Sequence, residues 1–275
     1  MVGLLSSIAY CERRSDDHKT QEESKMEYWD IEARGLTKAF GSFTAAHNLN
    51  LRVPRGTIFG FLGPNGSGKS TTLKMLTGLL TPTEGEALIA GEPVAVENVA
   101  LKHKIGVLPE DDALFRALTI WEHLEMSGPL YGLGHEETEA RATQLLRHLD
   151  LWRERGTYVE QASFGMRKKC ALAMALLHNP RVLFLDEPFE GIDPGSSRNV
   201  KDLLLMLSQK GVTIFLTSHI LEVVERLVGQ YAIIIDGEIV CQQTVEETVK
   251  AGRTLEDVYF QFAGRPAMEE MGWLG

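Results

Sequence analysis

Apolar and polar positions along this chain fall into runs of two different periods. Residues 28–36 read as a strand, and Leu49-Asn50-Leu51-Arg52-Val53 alternates with the two-residue period of a second, half-buried one. Pro54-Arg55-Gly56 is a turn, Ile58-Phe59-Gly60-Phe61-Leu62 a third strand, and residues 70–80 a helix. A short strand at 87–90 ends in the turn Gly91-Glu92-Pro93. From 114 to 155 the period becomes helical. Thr119 caps a helix there with Glu122 three residues on, Gly128-Pro129 and Gly132-Leu133-Gly134 interrupt the run, and residues 136–150 place Leu145, Leu146 and Leu149 on one side. A helix at 166–178 stops at Asn179-Pro180. Val182-Leu183-Phe184-Leu185 is uninterrupted and apolar, as a strand buried on both faces should be, and residues 212–217 repeat the pattern. Helices are expected at 199–209 and 220–228, and Asp236-Gly237 closes a hairpin between 231–235 and 238–241.

The reading is therefore an α/β fold: a mainly parallel sheet with flanking helices, an antiparallel β part, and a helical lobe inserted at about 111–165. In such a sheet, ligands bind at the carboxyl ends of the strands. Residues 1–25, mildly apolar and then dense in polar groups, read as a disordered extension, with Met26 a candidate start. The core spans 26–240 and a tail of the same domain 241–275.

Composition narrows the function. The 275 residues, 44% hydrophobic, suffice for a large core, and no run approaches the roughly 18 apolar residues of a membrane span. A net charge of −10 argues against a general nucleic-acid binder. Cys11, Cys170 and Cys241 are too few and too widely spaced for a disulfide framework or a zinc site, which suits a reducing compartment.

The chemistry gathers at four places. Gly63-Pro64-Asn65-Gly66-Ser67-Gly68-Lys69-Ser70 fits the G-x-x-x-x-G-K-[ST] phosphate loop and stands between a strand and a helix. Its glycines let backbone amides close on phosphate oxygens, Lys69 reaches the β and γ phosphates, and the Ser70 hydroxyl binds Mg²⁺. Asp186 and Glu187 close the 182–185 strand. Asp186 is placed to hold Mg²⁺, and Glu187 to orient or deprotonate a water attacking the γ-phosphate. His219 follows the next strand, where a neutral imidazole can accept from one neighbour and donate to a phosphate or water. Ser163 and Gly165 stand at the start of the 166–178 helix as a second anion site. Arg167, Lys168 and Lys169 in its first turn oppose the helix dipole, a cost that a nearby anion would offset. Lys69 and Ser163 are 94 residues apart (163 − 69 = 94). A head-to-tail dimer, each copy completing the other's site, reconciles two phosphate-directed segments in one chain.

Over about 28–264 these residues resemble the ATP-binding subunit of an ABC transporter. Gly63 to Thr71 matches the Walker A motif, Val182 to Glu187 Walker B with its catalytic glutamate, and His219 the switch histidine. Ser163-Phe164-Gly165-Met166 sits where the family signature reads Ser-Gly-Gly-Gln, and Glu190-Gly191-Ile192-Asp193 resembles the loop that joins two subunits. Phe40 matches the aromatic that stacks on adenine, in preference to Phe43. Glu110 replaces the family's lid-loop glutamine, where a carboxylate can still contact Mg²⁺ or water and where the core meets the lobe.

The resemblance implies a P-loop NTPase core and an ATP hydrolase using ATP and Mg²⁺. It also implies a second copy or a paralogue as partner, and a separate integral membrane permease that chooses the substrate. The chain would lie on the inner face of the cell membrane. The altered signature and Thr254-Leu255-Glu256-Asp257-Val258-Tyr259-Phe260 resemble the ABC-2-type export branch. Competing expectations are an ABC-type ATPase with a soluble partner, such as an iron–sulfur assembly complex, a chromosome-organising ATPase, and a nucleotide-binding scaffold without catalysis.

Overall fold

A computed structural model describes residues 29–264, apart from Asp112. The expectations for residues 1–25, Met26 and Cys11 lie outside them.

Two sheets stack. The first is antiparallel, in the order β2-β1-β4-β5: β1 (Trp29–Phe40), β2 (Phe43–Pro54), β4 (Glu84–Ile89) and β5 (Glu92–Pro93). The second has the order β10-β9-β3-β8-β7-β6. Its strands are β3 (Ile58–Leu62), β6 (Ile105–Leu108), β7 (Val182–Leu185), β8 (Thr213–Ser218), β9 (Gln230–Ile235) and β10 (Glu238–Thr244). From β9 to β6 every pairing is parallel, and β10 adds an antiparallel edge. Asp236 and Gly237 turn that edge hairpin with both φ positive, 48° and 81°, as a two-residue Asp-Gly loop requires.

Side chains of a strand point alternately to its two faces, so the apolar parallel strands feed two cores. Phe59, Phe61, Phe184, Phe215 and Ala232 pack against the antiparallel sheet with Ile31, Leu49 and Leu73. Phe215 is the centre of that layer, 5.6, 5.4 and 5.7 Å from the rings of Phe59, Phe61 and Phe184. Ile58, Leu62, Leu183, Leu185, Ile214, Leu216 and Ile233 face the opposite way, into a core closed by helices.

The helices are α1 (Lys69–Leu76), α2 (Val99–Lys104), α3 (Ile120–Leu130), α4 (His135–His148), α5 (Phe164–Leu176), α6 (Pro194–Gln209), α7 (Leu221–Glu225), α8 (Val245–Lys250) and α9 (Leu255–Ala263). Thr119 caps α3 through a reciprocal box with Glu122. Gly128-Pro129 does not break that helix. It runs to Leu130, and a Cβ on Gly128 would stand 2.1 Å from Thr138 Oγ1, so the glycine lets α3 and α4 approach closely. Elements absent from the sequence reading are α2, β6 and the capped α8 and α9. Each is six residues or fewer, except α9 with nine, too short for a period to declare itself.

At the amino ends of the parallel strands an ion pair between a buried aspartate and a partly exposed arginine joins the two sheets. Asp30 on β1 accepts from Arg181 Nε at 2.9 Å and Nη2 at 2.6 Å, and from the Thr213 hydroxyl of β8 at 2.6 Å. Both carboxylate oxygens are engaged.

Candidate nucleotide site

The carboxyl ends of β3, β6, β7 and β8 converge on the phosphate loop. A cavity of about 570 Å³ there is lined by Asn65, Gly66, Gly68, Lys69, Ser70 and Thr71 from the loop. Glu110 after β6, Glu187 and Glu190 after β7, and His219 after β8 complete its wall, with Phe43 and Ala45 from the antiparallel sheet.

Two glycines of the loop are there for space. A Cβ on Gly63 would stand 2.3 Å from the Ile234 carbonyl oxygen, and one on Gly68 2.3 Å from that of Ala45. Gly68 also has φ +103°, and α1 begins directly after it. The first-turn amides of that helix lack intrahelical partners, which makes a cradle for an anion. Lys69 is buried and folds back on the loop, donating to the carbonyls of Gly63 at 2.9 Å and Pro64 at 3.1 Å, with its Nζ 3.9 Å from Glu187 Oε1. Burial pushes its pKa below the usual lysine range, against the opposing pull of Glu187, Asp186 and Glu110. Ser67 Oγ is buried with no hydrogen-bond partner among the described residues, an orphaned polar atom inside the loop.

Asp186 is 1% exposed. Its Oδ1 accepts from the Thr217 hydroxyl at 2.5 Å, while the same hydroxyl oxygen accepts from the Glu187 N–H at 3.0 Å. Glu187 has φ +47°, the left-handed region, which costs a non-glycine residue on the order of 1 kcal/mol. That backbone sets Glu187 Oε1 3.0 Å from His219 Nδ1 and lets Oε2 accept from the His219 N–H at 3.4 Å. A carboxylate oxygen accepts, so Nδ1 is the donor in the His219–Glu187 contact. Ser70 Oγ donates to Glu110 Oε2 at 3.3 Å, which brings the β6 loop to the phosphate loop.

The remaining candidates fall elsewhere. Phe40 and Phe43 are cross-strand partners at the tip of the β1–β2 hairpin, 50% and 62% exposed. Phe43 lines the cavity, while the Lys38 ammonium lies 5.3 Å from the centre of the Phe40 ring. Pro64 bends the loop beside the cavity rather than lining it. Ser163 caps α5, accepting from the Met166 N–H at 3.2 Å. Gly165 faces the 190–193 loop, where its Cβ would stand 3.3 Å from the Gly191 carbonyl oxygen. Neither lines the cavity around Lys69. Phe164 packs against Gly191. Lys168 and Lys169 do not form a solvated basic turn: both are buried, with Lys168 Nζ 3.5 Å from the Glu110 carbonyl oxygen and Lys169 Nζ 3.3 Å from Ser196 Oγ. Burial depresses the Lys168 pKa, and Glu190, Asp186, Glu187 and Glu110 oppose the shift. The helix dipole is thus offset by carboxylates of the chain itself. Sequence reading passed over Thr217 as a site residue, and it named Lys168 and Glu190 without joining them to the acidic pair. A threonine closing a buried strand was the only trace of the first.

A parallel sheet with a phosphate loop after its central strand, and an acidic pair after the strand next but one, defines a P-loop nucleotide-binding protein. The chain belongs to the ABC transporter family, whose sequence model matches residues 46–190. It is 36% identical over 210 residues to the linearmycin resistance ATP-binding protein LnrL of Bacillus subtilis, covering 76% of this chain and 68% of that protein. It is 37% identical over 236 residues to the daunorubicin resistance ATP-binding protein DrrA3 of Streptomyces coeruleorubidus, covering 86% and 75%. Among solved structures, an ATP-binding subunit of an ABC transporter superposes with a TM-score of 0.79 at 29% identity, covering 84% of this chain and 98% of that one. A dimeric cassette in a post-hydrolysis state, bound to ADP and Pi, superposes at 0.73 with 27% identity over 78% and 98%.

Proposed function

We propose that the chain is the ATP-hydrolysing subunit of an exporter, driving an unknown substrate through a separate membrane permease. The observation that carries this is the meeting of Lys69, Ser70, Glu187 and His219 around one cavity, with Asp186 buried behind Glu187. ATP fits there with its phosphates on the loop amides and Lys69, and its base against the hairpin tip that carries Phe43 and Phe40. The orphaned Ser67 hydroxyl and the unpaired first-turn amides fit a bound phosphate. Ser70 and Asp186, with Glu110 beside them, are the hard-oxygen donors that suit Mg²⁺, whose remaining ligands are ordinarily phosphate oxygens and water. Bound there, Mg²⁺ supplies neutralisation of charge on the β and γ oxygens.

Hydrolysis then needs a water aligned with the γ-phosphorus. Glu187 accepts the water's proton as the new O–P bond forms and the bond to the β-phosphate oxygen breaks, giving ADP and inorganic phosphate. His219, held by Glu187, fixes the orientation of that carboxylate. Lys69 follows the charge moving towards the β-phosphate.

Ser163 and Gly165 stand outside the cavity of their own chain, and a dimeric relative is known, so the second half of each site is assigned to a second copy or a paralogue. The relatives named for linearmycin and daunorubicin resistance and for Nod factor export favour the outward direction. No described helix is long and apolar enough to cross a membrane, so a permease would supply the passage and hold the chain at the inner membrane face. On this reading residues 26–240 form the ATPase domain, with a lobe at about 111–165, flanked by an extension at 1–25 and a tail at 241–275.

The test is MgATP turnover by the full chain, together with capture of its membrane partner from native membranes. Magnesium-dependent phosphate release and co-purification of a polytopic membrane protein are expected. A soluble protein as the sole stoichiometric partner would overturn the transport reading.

A further inference from the structure

Thr217 is the last but one residue of β8, between Leu216 and Ser218, and has no exposed surface. Nothing about a buried strand asks for a hydroxyl there. Valine has the same shape and a comparable strand preference, and Ile214, Phe215 and Leu216 just before it are apolar. The hydroxyl is nevertheless used twice. The Glu187 N–H can only donate, so Thr217 Oγ1 accepts from it, and the threonine proton is left to point at Asp186 Oδ1. One hydroxyl thereby ties two consecutive acidic residues on the adjacent strand end.

We infer that Thr217 is a positioning residue of the hydrolytic site. It holds Asp186 by Oδ1, so that the other oxygen, Oδ2, is the one presented to a metal. It also pins the Glu187 backbone in its left-handed turn, so that the carboxylate meets His219. This rests on the proposed hydrolysis at Glu187, and its two halves are separable: one acts on Asp186 and metal, the other on Glu187 and water. The geometry explains how a residue with φ +47° is held in place, since relaxation of Glu187 towards ordinary dihedrals would break its N–H bond to Thr217.

The experiment compares Thr217→Val and Thr217→Ser in the full chain. The readouts are MgATP turnover, trinitrophenyl-ATP affinity in Mg²⁺ and in EDTA, and thermal unfolding. With Val, kcat is expected to fall by about tenfold or more, because the lost contacts orient the acidic pair. Mg²⁺ should also tighten nucleotide binding less than in the parent. Ser, which keeps the hydroxyl, should recover most of both. Turnover of the Val variant within about twofold of the parent would overturn the assignment, as would a Ser variant no better than Val. A parent chain without turnover would sink the hydrolytic reading instead. The Mg²⁺ effect on affinity then decides for Thr217, and an equal effect in parent and Val variant rejects it. If the Val variant does not fold, Thr217→Cys, close in shape and weaker as a donor, takes its place beside Ser.

Discussion

The two rims of the parallel sheet use the same device to opposite ends. At the amino rim a threonine of β8, Thr213, donates to the buried carboxylate of Asp30, and Arg181 closes the arrangement with two more hydrogen bonds. At the carboxyl rim another threonine of β8, Thr217, donates to the buried carboxylate of Asp186. No arginine closes that one. Its neighbours are a strained glutamate, a lysine depressed by burial, and a loop serine without a partner. A fully paired carboxylate is costly to break, whereas a half-paired one keeps coordination in reserve for a ligand. The amino rim ties two sheets together, and the carboxyl rim leaves a cavity.

That contrast breaks if the rims respond alike to substitution. The largest effect is expected at Glu187→Gln. Turnover should fall by about a thousandfold, the scale of a lost general base with its charge, while trinitrophenyl-ATP affinity and the unfolding midpoint hold. Turnover near that of the parent would remove Glu187 from the chemistry. Next comes Lys69→Ala, for which nucleotide affinity should weaken by about ten- to a hundredfold through loss of a charge-assisted contact to phosphate. Unchanged affinity by calorimetry would count against the loop. Asp30→Ala should do the reverse of both. It takes the acceptor away from Arg181 and from the Thr213 hydroxyl, which keeps only its bond from the Gly56 N–H, so unfolding in urea should show a loss of about 2–3 kcal/mol, with kcat per folded molecule unchanged. A stable, inactive Asp30 variant would join the two rims into one function.

A subtler effect concerns His178. Its ring stacks on Tyr131 at 3.8 Å and nearly parallel, its Nε2 meets the Ile105 carbonyl at 2.9 Å, and its buried Nδ1 has no partner. Burial lowers its pKa, the nearby His103 and Arg141 add to that, and the Ile105 carbonyl opposes it. The folded state therefore binds this proton less readily than the unfolded chain. The contribution is fully present above the unfolded histidine pKa and is lost as pH falls through it towards the lower folded value. The unfolding midpoint should drop on acidification below about pH 6.5, and His178→Gln should flatten that part of the profile. An identical profile in the variant would assign the acid sensitivity elsewhere.

Much of the carboxyl rim was legible in the chain. The phosphate loop is a contiguous string, and Asp186-Glu187 follows four apolar residues that could only be a buried strand. Thr119 and Glu122 formed the capping box their spacing promised. The failures are equally particular. Gly128-Pro129 looked like a break because both residues are poor in helices, but close packing of Gly128 on Thr138 overrode propensity. Which of the cross-strand partners Phe40 and Phe43 lines the cavity is not written in the sequence, because it does not show which way a hairpin tip leans; Phe43 does. Lys168 and Lys169 pointed to a nearby anion, and the carboxylates that oppose the Lys168 shift come from segments far away in the chain.

The sequence by itself determined what depends on neighbours within a few positions: the period of each element, the caps, the loop that can wrap a phosphate, and the acidic residues a strand delivers to its end. Tertiary structure decided what depends on strand order. Because β8 lies between β3 and β7, Thr213 meets Asp30 at one rim and Thr217 meets Asp186 at the other, across separations of 183 and 31 residues. Hydrogen bonds reach only about 3 Å, so which of those residues meet is fixed by the folded register and by nothing local in the chain.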